Sequence, residues 1–177
     1  METKITMLSP FFEEPNSEFY IRELSRILKI NHTTVRQQLN KLVKEGLLSK
    51  GKTKLYLSYK VIISRKYLNL KLFYNLEKLR ISGIIEDLQK QYDFPVMVLF
   101  GSYAKATDDM NSDIDLCIIS DIQKQFHTAN YKKILNRKVS FHYFTKTSWK
   151  NAKKKNPGLI NSICNGIVLS GELEVLK

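Results

Sequence analysis

The stretch VLFGSYAKATDDMNSDIDLCII, from Val98 to Ile119, ends a hydrophobic run in Gly101-Ser102. Ten residues later it places Asp113-Ile114-Asp115 at the head of a second hydrophobic run. If that second run is a strand, side chains alternate, so Asp113 and Asp115 share one face and Ser112, Ile114, Leu116 and Ile118 the other. Their Cα atoms then lie roughly 6.7 Å apart at a rise of about 3.3 Å per residue. Two carboxylates at that spacing can converge on a metal. Buried and unpaired, they would repel each other and each would cost several kcal/mol in lost hydration. A divalent cation offsets that cost. Oxygen ligands with a polyphosphate partner favour Mg²⁺, or Mn²⁺ in its place. Two such ions about 3.5–4 Å apart can stabilise the attacking and leaving oxygens of a transferring phosphate. Gly101 lets the backbone approach a ligand, and the Ser102 hydroxyl with the amides of the following helix can hold phosphate oxygens. Lys105, in the same short helix, adds a cation for phosphate.

These residues need a frame. PVMVLF reads as a buried strand, SYAKA as the start of a helix, TDDMN as a polar loop and SDIDLCIIS as a second strand. Asp108 and Asp109 in the loop read as solvated or turn-forming. A later strand, KVSFHYFT, puts Val139, Phe141 and Tyr143 on one face and Ser140, His142 and Phe144 on the other. The tail from Thr147 to Leu176 reads as a basic helix carrying Lys150, Lys153, Lys154 and Lys155, a Pro157-Gly158 break, another helix and a final hairpin around Ser170-Gly171. The lysine run reads as a guide for a triphosphate or nucleic acid, or as a solvated helix face.

Strand, Gly-Ser, helix, polar loop and Asp-x-Asp strand, in that order, resemble the nucleotidyltransferases of the DNA polymerase β-like type. LFGSYAKATDDMNSDIDLCI is especially similar to the minimal nucleotidyltransferases of bacteria and archaea. The resemblance implies a small domain over residues 81–177, with a mixed sheet flanked by helices. It implies a nucleoside triphosphate with Mg²⁺, and transfer of a nucleoside monophosphate to a hydroxyl on a protein or small molecule. Acceptors in such relatives include a toxin paired with a nucleotidylating antitoxin, and aminoglycosides. The family carries glycine where this chain has Ala106. It also has a third carboxylate on a following strand. Neither face of KVSFHYFT offers one, and Ser140 or His142 falls in that place. A neutral His142 can take a proton or bind metal. A catalytic set of Asp113, Asp115 and His142 therefore stands beside a second reading, in which the domain binds nucleotide or a partner without turnover.

The first sixty residues have a different pattern. Ile5, Leu8, Phe11 and Phe12 recur at helical spacing up to the Pro15-Asn16 break. Phe19, Ile21, Leu24, Ile27 and Leu28 form a second helical stripe. Asn31 or Thr33 can cap a third helix whose inner face is Val35, Leu39, Leu42 and Val43, with Gly46 ending it in a left-handed conformation. LLSKGKTKLYLSY then alternates as a hairpin about a Lys-Gly-Lys tip. The segment from His32 to Ser58 resembles a winged helix-turn-helix. Its recognition helix would present Thr34, Arg36, Gln37, Gln38, Lys41 and Lys44. Arg can read guanine and Gln adenine in a major groove, while Lys50, Lys52 and Lys54 on the wing would contact phosphate. Glu45 is the only acid between Asn31 and Lys60, against seven Lys and Arg. The alternative is a winged helix used for protein contacts or dimerisation.

The expected class is α+β: a winged helix over 1–60, a helical connector over 61–80, then the nucleotidyltransferase-like domain. Leu68, Leu72, Leu76, Leu79, Ile84, Ile85 and Leu88 stripe the connector region, with Gly83 as a joint between helices. The connector reads as a rigid spacer, a homodimer seam or the first helix of the second domain, the last favoured for its C-terminal half, with the stripe itself as core. The net charge of +12 over 177 residues favours a polyanionic partner, though a solvated basic surface would also carry it. The N-terminus is too polar for a secretory leader and no apolar run is long enough to span a membrane, so a cytoplasmic protein is expected. Cys117 and Cys164 read as buried thiols.

Overall fold

The computed structural model describes residues 2–52 and 56–174. It divides into two compact units, Met1–Tyr74 and Asn75–Lys177. The boundary falls inside a long helix rather than at a linker.

In the first unit, α1 (Glu2–Glu13) precedes a two-residue strand β1 (Phe19–Tyr20), α2 (Ile21–Leu28) and α3 (His32–Lys44). Strands β2 (Leu48–Lys52) and β3 (Leu57–Val61) form an antiparallel hairpin, and β1 adds to the free side of β3. This is a winged helix. Asn31 is the residue that caps α3, its side chain accepting the Thr34 amide at 2.8 Å, a contribution of about 1 kcal/mol. At the other end Gly46 has φ +71 and its amide bonds the Val43 carbonyl. The core gathers Phe11, Phe12, Leu24, Val35, Leu39, Leu42, Tyr59 and Tyr67.

Two sequence expectations change here. Phe19 belongs to a strand, not to the helical stripe, and it packs edge-on against Phe11. Ile27 is exposed, because the helix begins only at Ile21 and the apolar face is set by Leu24. The Lys-Gly-Lys triplet also differs. Gly51, in β2, pairs with Ser58 of β3, so the triplet is strand and not a turn. Lys54 lies outside the described residues.

Helix α4 (Arg65–Ser82) begins in the first unit and ends in the second. In the second unit Gly83 turns the chain at φ +78 into α5 (Ile84–Tyr92). Then come β4 (Val96–Phe100), the short α6 (Gly101–Lys105), β5 (Ile114–Ile119), a 3-10 turn at Ala129–Tyr131, α7 (Lys132–Leu135) and β6 (Val139–Phe144). Helices α8 (Lys146–Lys155) and α9 (Pro157–Cys164) and strand β7 (Ile167–Ser170) complete it. The sheet order is β6-β5-β4-β7. β5 and β6 are parallel, and the other neighbours antiparallel.

Both faces of this sheet are covered. Met97, Leu99, Ile114, Leu116 and Ile118 pack with Leu79, Ile84, Leu88 and Tyr103. Val98, Phe100, Cys117 and Ile119 pack with Trp149, Ile160 and Ile163. That double covering explains the unbroken apolar runs in β4 and β5. Burial also pushes the Cys117 thiol up to about 12, so it stays protonated; Cys164 is half-buried. Two expectations differ in this unit. Strand β5 starts at Ile114, leaving Asp113 just before it. The final hairpin is, among the described residues, a single strand paired with β4. No described helix is long and apolar enough to cross a membrane.

Candidate functional site

The end of β4 and the start of β5 are neighbours, because Phe100 pairs with Asp115. Directly after Phe100 the chain turns at Gly101 with φ +75. A Cβ there would stand 2.3 Å from the Asp115 carboxylate oxygen Oδ2. Glycine is therefore required twice, for the backbone angle and for the space the carboxylate occupies.

Helix α6 ends at Ala106, which holds φ +56 and sends its amide back to carbonyls of α6. This is the place where the family carries glycine. A left-handed alanine costs roughly 1–2 kcal/mol, which the burial of Ala106 offsets. Ser102 is half-buried at the start of α6, and Lys105 is exposed at its end.

On β6, the parallel register sets Ser140 opposite Asp115 and His142 opposite Cys117. Continuing that register places Lys138 opposite Asp113. All five polar residues share one face, since 113, 115, 138, 140 and 142 keep the period of two. Ser140 donates its hydroxyl to Asp113 Oδ2 at 2.8 Å, and the Lys138 ammonium lies 3.3 Å from the same oxygen. The Ser140 hydrogen bond, reinforced by Lys138, holds Asp113 below the usual carboxylate range. Asp115 behaves oppositely. Burial is the main cause and raises it, the Asp113 charge adds to the rise, and His142 works against it. The His142 ring sits edge-on to Phe100 at 5.2 Å. The structure thus gathers Gly101, Asp113, Asp115, Ser140 and His142, and adds Lys138. Lys138 escaped the sequence reading; its one signal is its parity with Ser140 and His142.

The loop aspartates separate sharply. Asp109 is turn-forming, as expected: its carboxylate accepts the Asn111 amide and the Ser112 hydroxyl. Those bonds, the Asn111 amide first, hold it below the usual range. Asp108 is not solvated. It is fully buried, 3.0 Å from the Arg137 guanidinium, and accepts the Asn75 amide at 2.9 Å.

As a metal centre the donor set is small. Among the described residues, no three His, Cys, Asp or Glu side chains converge to hold an ion. Asp115 and the Asp113 Oδ1 oxygen fit a hard cation that takes its remaining ligands from water and phosphate.

In the first unit, Arg36, Gln37, Lys41 and Lys44 are exposed on α3, while Thr34 and Gln38 are partly covered. Lys50 is exposed on β2, yet its ammonium donates to Asn40 Oδ1 at 2.9 Å and lies 5.9 Å from the Tyr59 ring centre. Lys52 lies in β2. Beside the helix an open groove of about 1050 Å³ is lined by Tyr20, Arg22, Arg26, His32, Arg36 and Tyr56. Arg22 and Arg26 went unnoticed in the sequence; their four-residue spacing on one face of α2 is a signal that could have found them.

The mixed sheet with Gly-Ser and Asp-x-Asp at its rim defines a nucleotidyltransferase fold, and the N-terminal unit a helix-turn-helix DNA-binding domain. The chain belongs to the polymerase beta, nucleotidyltransferase family, whose model matches residues 82–172, just over half of the chain. Residues 3–50 match the bacterial regulatory protein, arsR family. No curated protein matches the sequence. Among solved structures, a protein of Methanosarcina mazei Go1 described as a possible transcriptional regulator is similar at 19% identity and a TM-score of 0.36, over 51% of this chain and 78% of that one. An IclR-type regulator described from Silicibacter sp. TM1040 is similar at 17% identity and a TM-score of 0.31, over 56% of this chain and 39% of that one.

Proposed function

We propose that this is a DNA-binding protein whose C-terminal unit holds a nucleoside triphosphate with Mg²⁺, or Mn²⁺ in its place. It transfers a nucleoside monophosphate to a hydroxyl of a protein, such as a paired toxin, or of a small molecule. The observation that carries this reading is the fit of the Asp115 carboxylate into the space left by Gly101, with Asp113 on the same face. Ser102 and the neighbouring amides hold phosphate oxygens, and Lys105 adds charge at the rim. Asp113 and Asp115 hold the cation, which when bound neutralises the phosphates and polarises the reacting phosphorus. The acceptor oxygen forms a bond to the α-phosphorus, the bond to the β-phosphate oxygen breaks, and pyrophosphate leaves. His142, beside Asp115, takes the acceptor's proton.

A second reading has one specific observation in its favour: serine stands opposite Asp115 where a third carboxylate would complete the site. On that reading the protein is a regulator whose C-terminal unit senses nucleotide or a partner without turnover. Labelled triphosphates with Mg²⁺ or Mn²⁺ and candidate acceptors separate the two. Transfer lost in Asp113→Asn with Asp115→Asn supports the enzyme. Nucleotide binding without transfer leaves the sensor. Transfer that survives both substitutions removes the site assignment.

For the first unit we infer duplex binding, with Thr34, Arg36, Gln37 and Lys41 toward base edges and the wing lysines 50, 52 and 54 toward phosphate. Each phosphate contact adds roughly −0.9 to the slope of log affinity against log salt. Arg36→Ala with Lys41→Ala should weaken binding; a salt-independent affinity, or one untouched by these changes, overturns the inference.

A further inference from the structure

We propose that Lys138 and Ser140 fill the place of a second metal ion, so that this site works with a single divalent cation. The inference rests on the nucleotidyltransferase-site reading above. It begins from the two bonds converging on Asp113 Oδ2, from the Ser140 hydroxyl and the Lys138 ammonium. Both donors engage an oxygen that would otherwise be open to a cation. Among the described residues no third carboxylate stands near to replace it.

Charge leads to the same conclusion. Asp113 and Asp115 bring two negative charges to the face and Lys138 returns one positive. The protein's own face therefore carries a net single negative charge instead of two, and the Lys138 ammonium repels a cation from the Oδ2 side of Asp113. The Ser140 and Lys138 bonds leave Oδ1 of Asp113, and Asp115, half-buried against Gly101, to hold the single cation. The ammonium then supplies, as a monovalent charge beside Asp113, part of the stabilisation of phosphate oxygens that a second ion would otherwise provide.

The geometry of β6 explains why both residues act together. Parallel pairing carries Lys138, Ser140 and His142 along the same face as Asp113 and Asp115. Serine at 140 leaves room beside Asp113, and the lysine two residues earlier reaches into it. Lys138 is exposed at its stem, so its replacement does not disturb the core.

The test is an ion count. Mn²⁺ bound to the full chain is measured by electron paramagnetic resonance with a saturating non-hydrolysable ATP analogue. Free analogue is removed, and the Mn²⁺ to analogue ratio is read. The wild type should hold a single Mn²⁺ per bound analogue. Lys138→Met with Ser140→Asp, which removes the cation and supplies a carboxylate, should hold a second. Lys133→Met, an exposed lysine on α7, should match the wild type. A second ion in the wild type overturns this inference while leaving the nucleotide site intact. A double variant that still holds a single ion also overturns it, since the second place would lie elsewhere. The single Mn²⁺ should be lost in Asp115→Asn; if instead that variant keeps the wild-type ratio of one, the ion belongs to the analogue alone, which overturns the site reading together with the inference.

Discussion

Arg137 and Lys138 are neighbours in the chain, and each faces an aspartate of the same loop region, but the two ion pairs are opposites. Arg137 and Asp108 are 1% and 0% exposed; Lys138 and Asp113 are 76% and 40% exposed. The inner pair is one part of a closed network. Arg137 also donates to the Asp109 carbonyl and stacks over the Tyr103 ring, and Asn75 reaches both Asp108 and the Tyr103 carbonyl. It ties the loop before β5, the short α6 and the base of β6 together. The outer pair sits in water and has an oxygen to spare. A buried carboxylate paired with the fold's own cation acts as a strut. One left with an open oxygen on a shared face is available to a cation. Two aspartates five residues apart therefore sit in different settings, and burial distinguishes them.

The largest expected effect comes from breaking the strut. Arg137→Met leaves the Asp108 charge buried without its cation, and such a loss costs about 3–5 kcal/mol. Asp108→Asn added to Arg137→Met should recover part of it. Chemical denaturation of the four species forms a cycle; additive losses would show that the pair is not coupled.

Next comes Gly101→Ala. The new Cβ would meet the Asp115 carboxylate and hold a left-handed angle, so Mn²⁺ affinity should fall by on the order of tenfold, which corresponds to about 1.4 kcal/mol. An unchanged affinity would mean that Asp115 is not the ligand.

A smaller effect is expected from Lys138→Met on stability. Exposed pairs contribute about 0–1 kcal/mol, so the denaturation midpoint should barely move, in contrast to its neighbour Arg137. A loss as large as that of Arg137→Met would erase the distinction between the two pairs.

The subtlest test is the order of titration in metal-free protein. Asp113 is depressed by its Ser140 hydrogen bond, so its contribution to stability is present above the ordinary carboxylate value and fades as pH falls through its folded value. Asp115 is raised, chiefly by burial; its contribution is present at low pH and is lost as pH rises through its folded value. Carbon-detected NMR of the two carboxyls should find Asp113 ionising first as pH rises. Ser140→Ala should move Asp113 upward and narrow the gap. The reverse order would remove the physical account of both groups.

Much of this was legible in sequence because it is local. Asn31 as a helix cap, Gly83 as a joint and Gly46 as a stop are decided by a few neighbouring residues. So are the strand ends that carry Gly101 and Asp115. Misreadings came where distant partners decide. Asp108 looked solvated because its arginine lies beyond β5, at the base of β6. Lys50's neighbours Asn40 and Tyr59, on other elements, were equally invisible in sequence, though its phosphate contact stands as proposed. Phe19 looked helical because a two-residue strand needs β3 beside it to exist at all.

The sequence by itself determined the elements, the two-part organisation and the residue types able to hold phosphate and metal. Side-chain periodicity and Gly, Asn and Asp turn chemistry act over a few residues. The tertiary structure decided which carboxylates are left open on a shared face and which are buried struts. That choice depends on the parallel register of β5 and β6, which brings residues more than twenty positions apart onto one face. Only such pairing sets burial, and burial sets the cost of each charge.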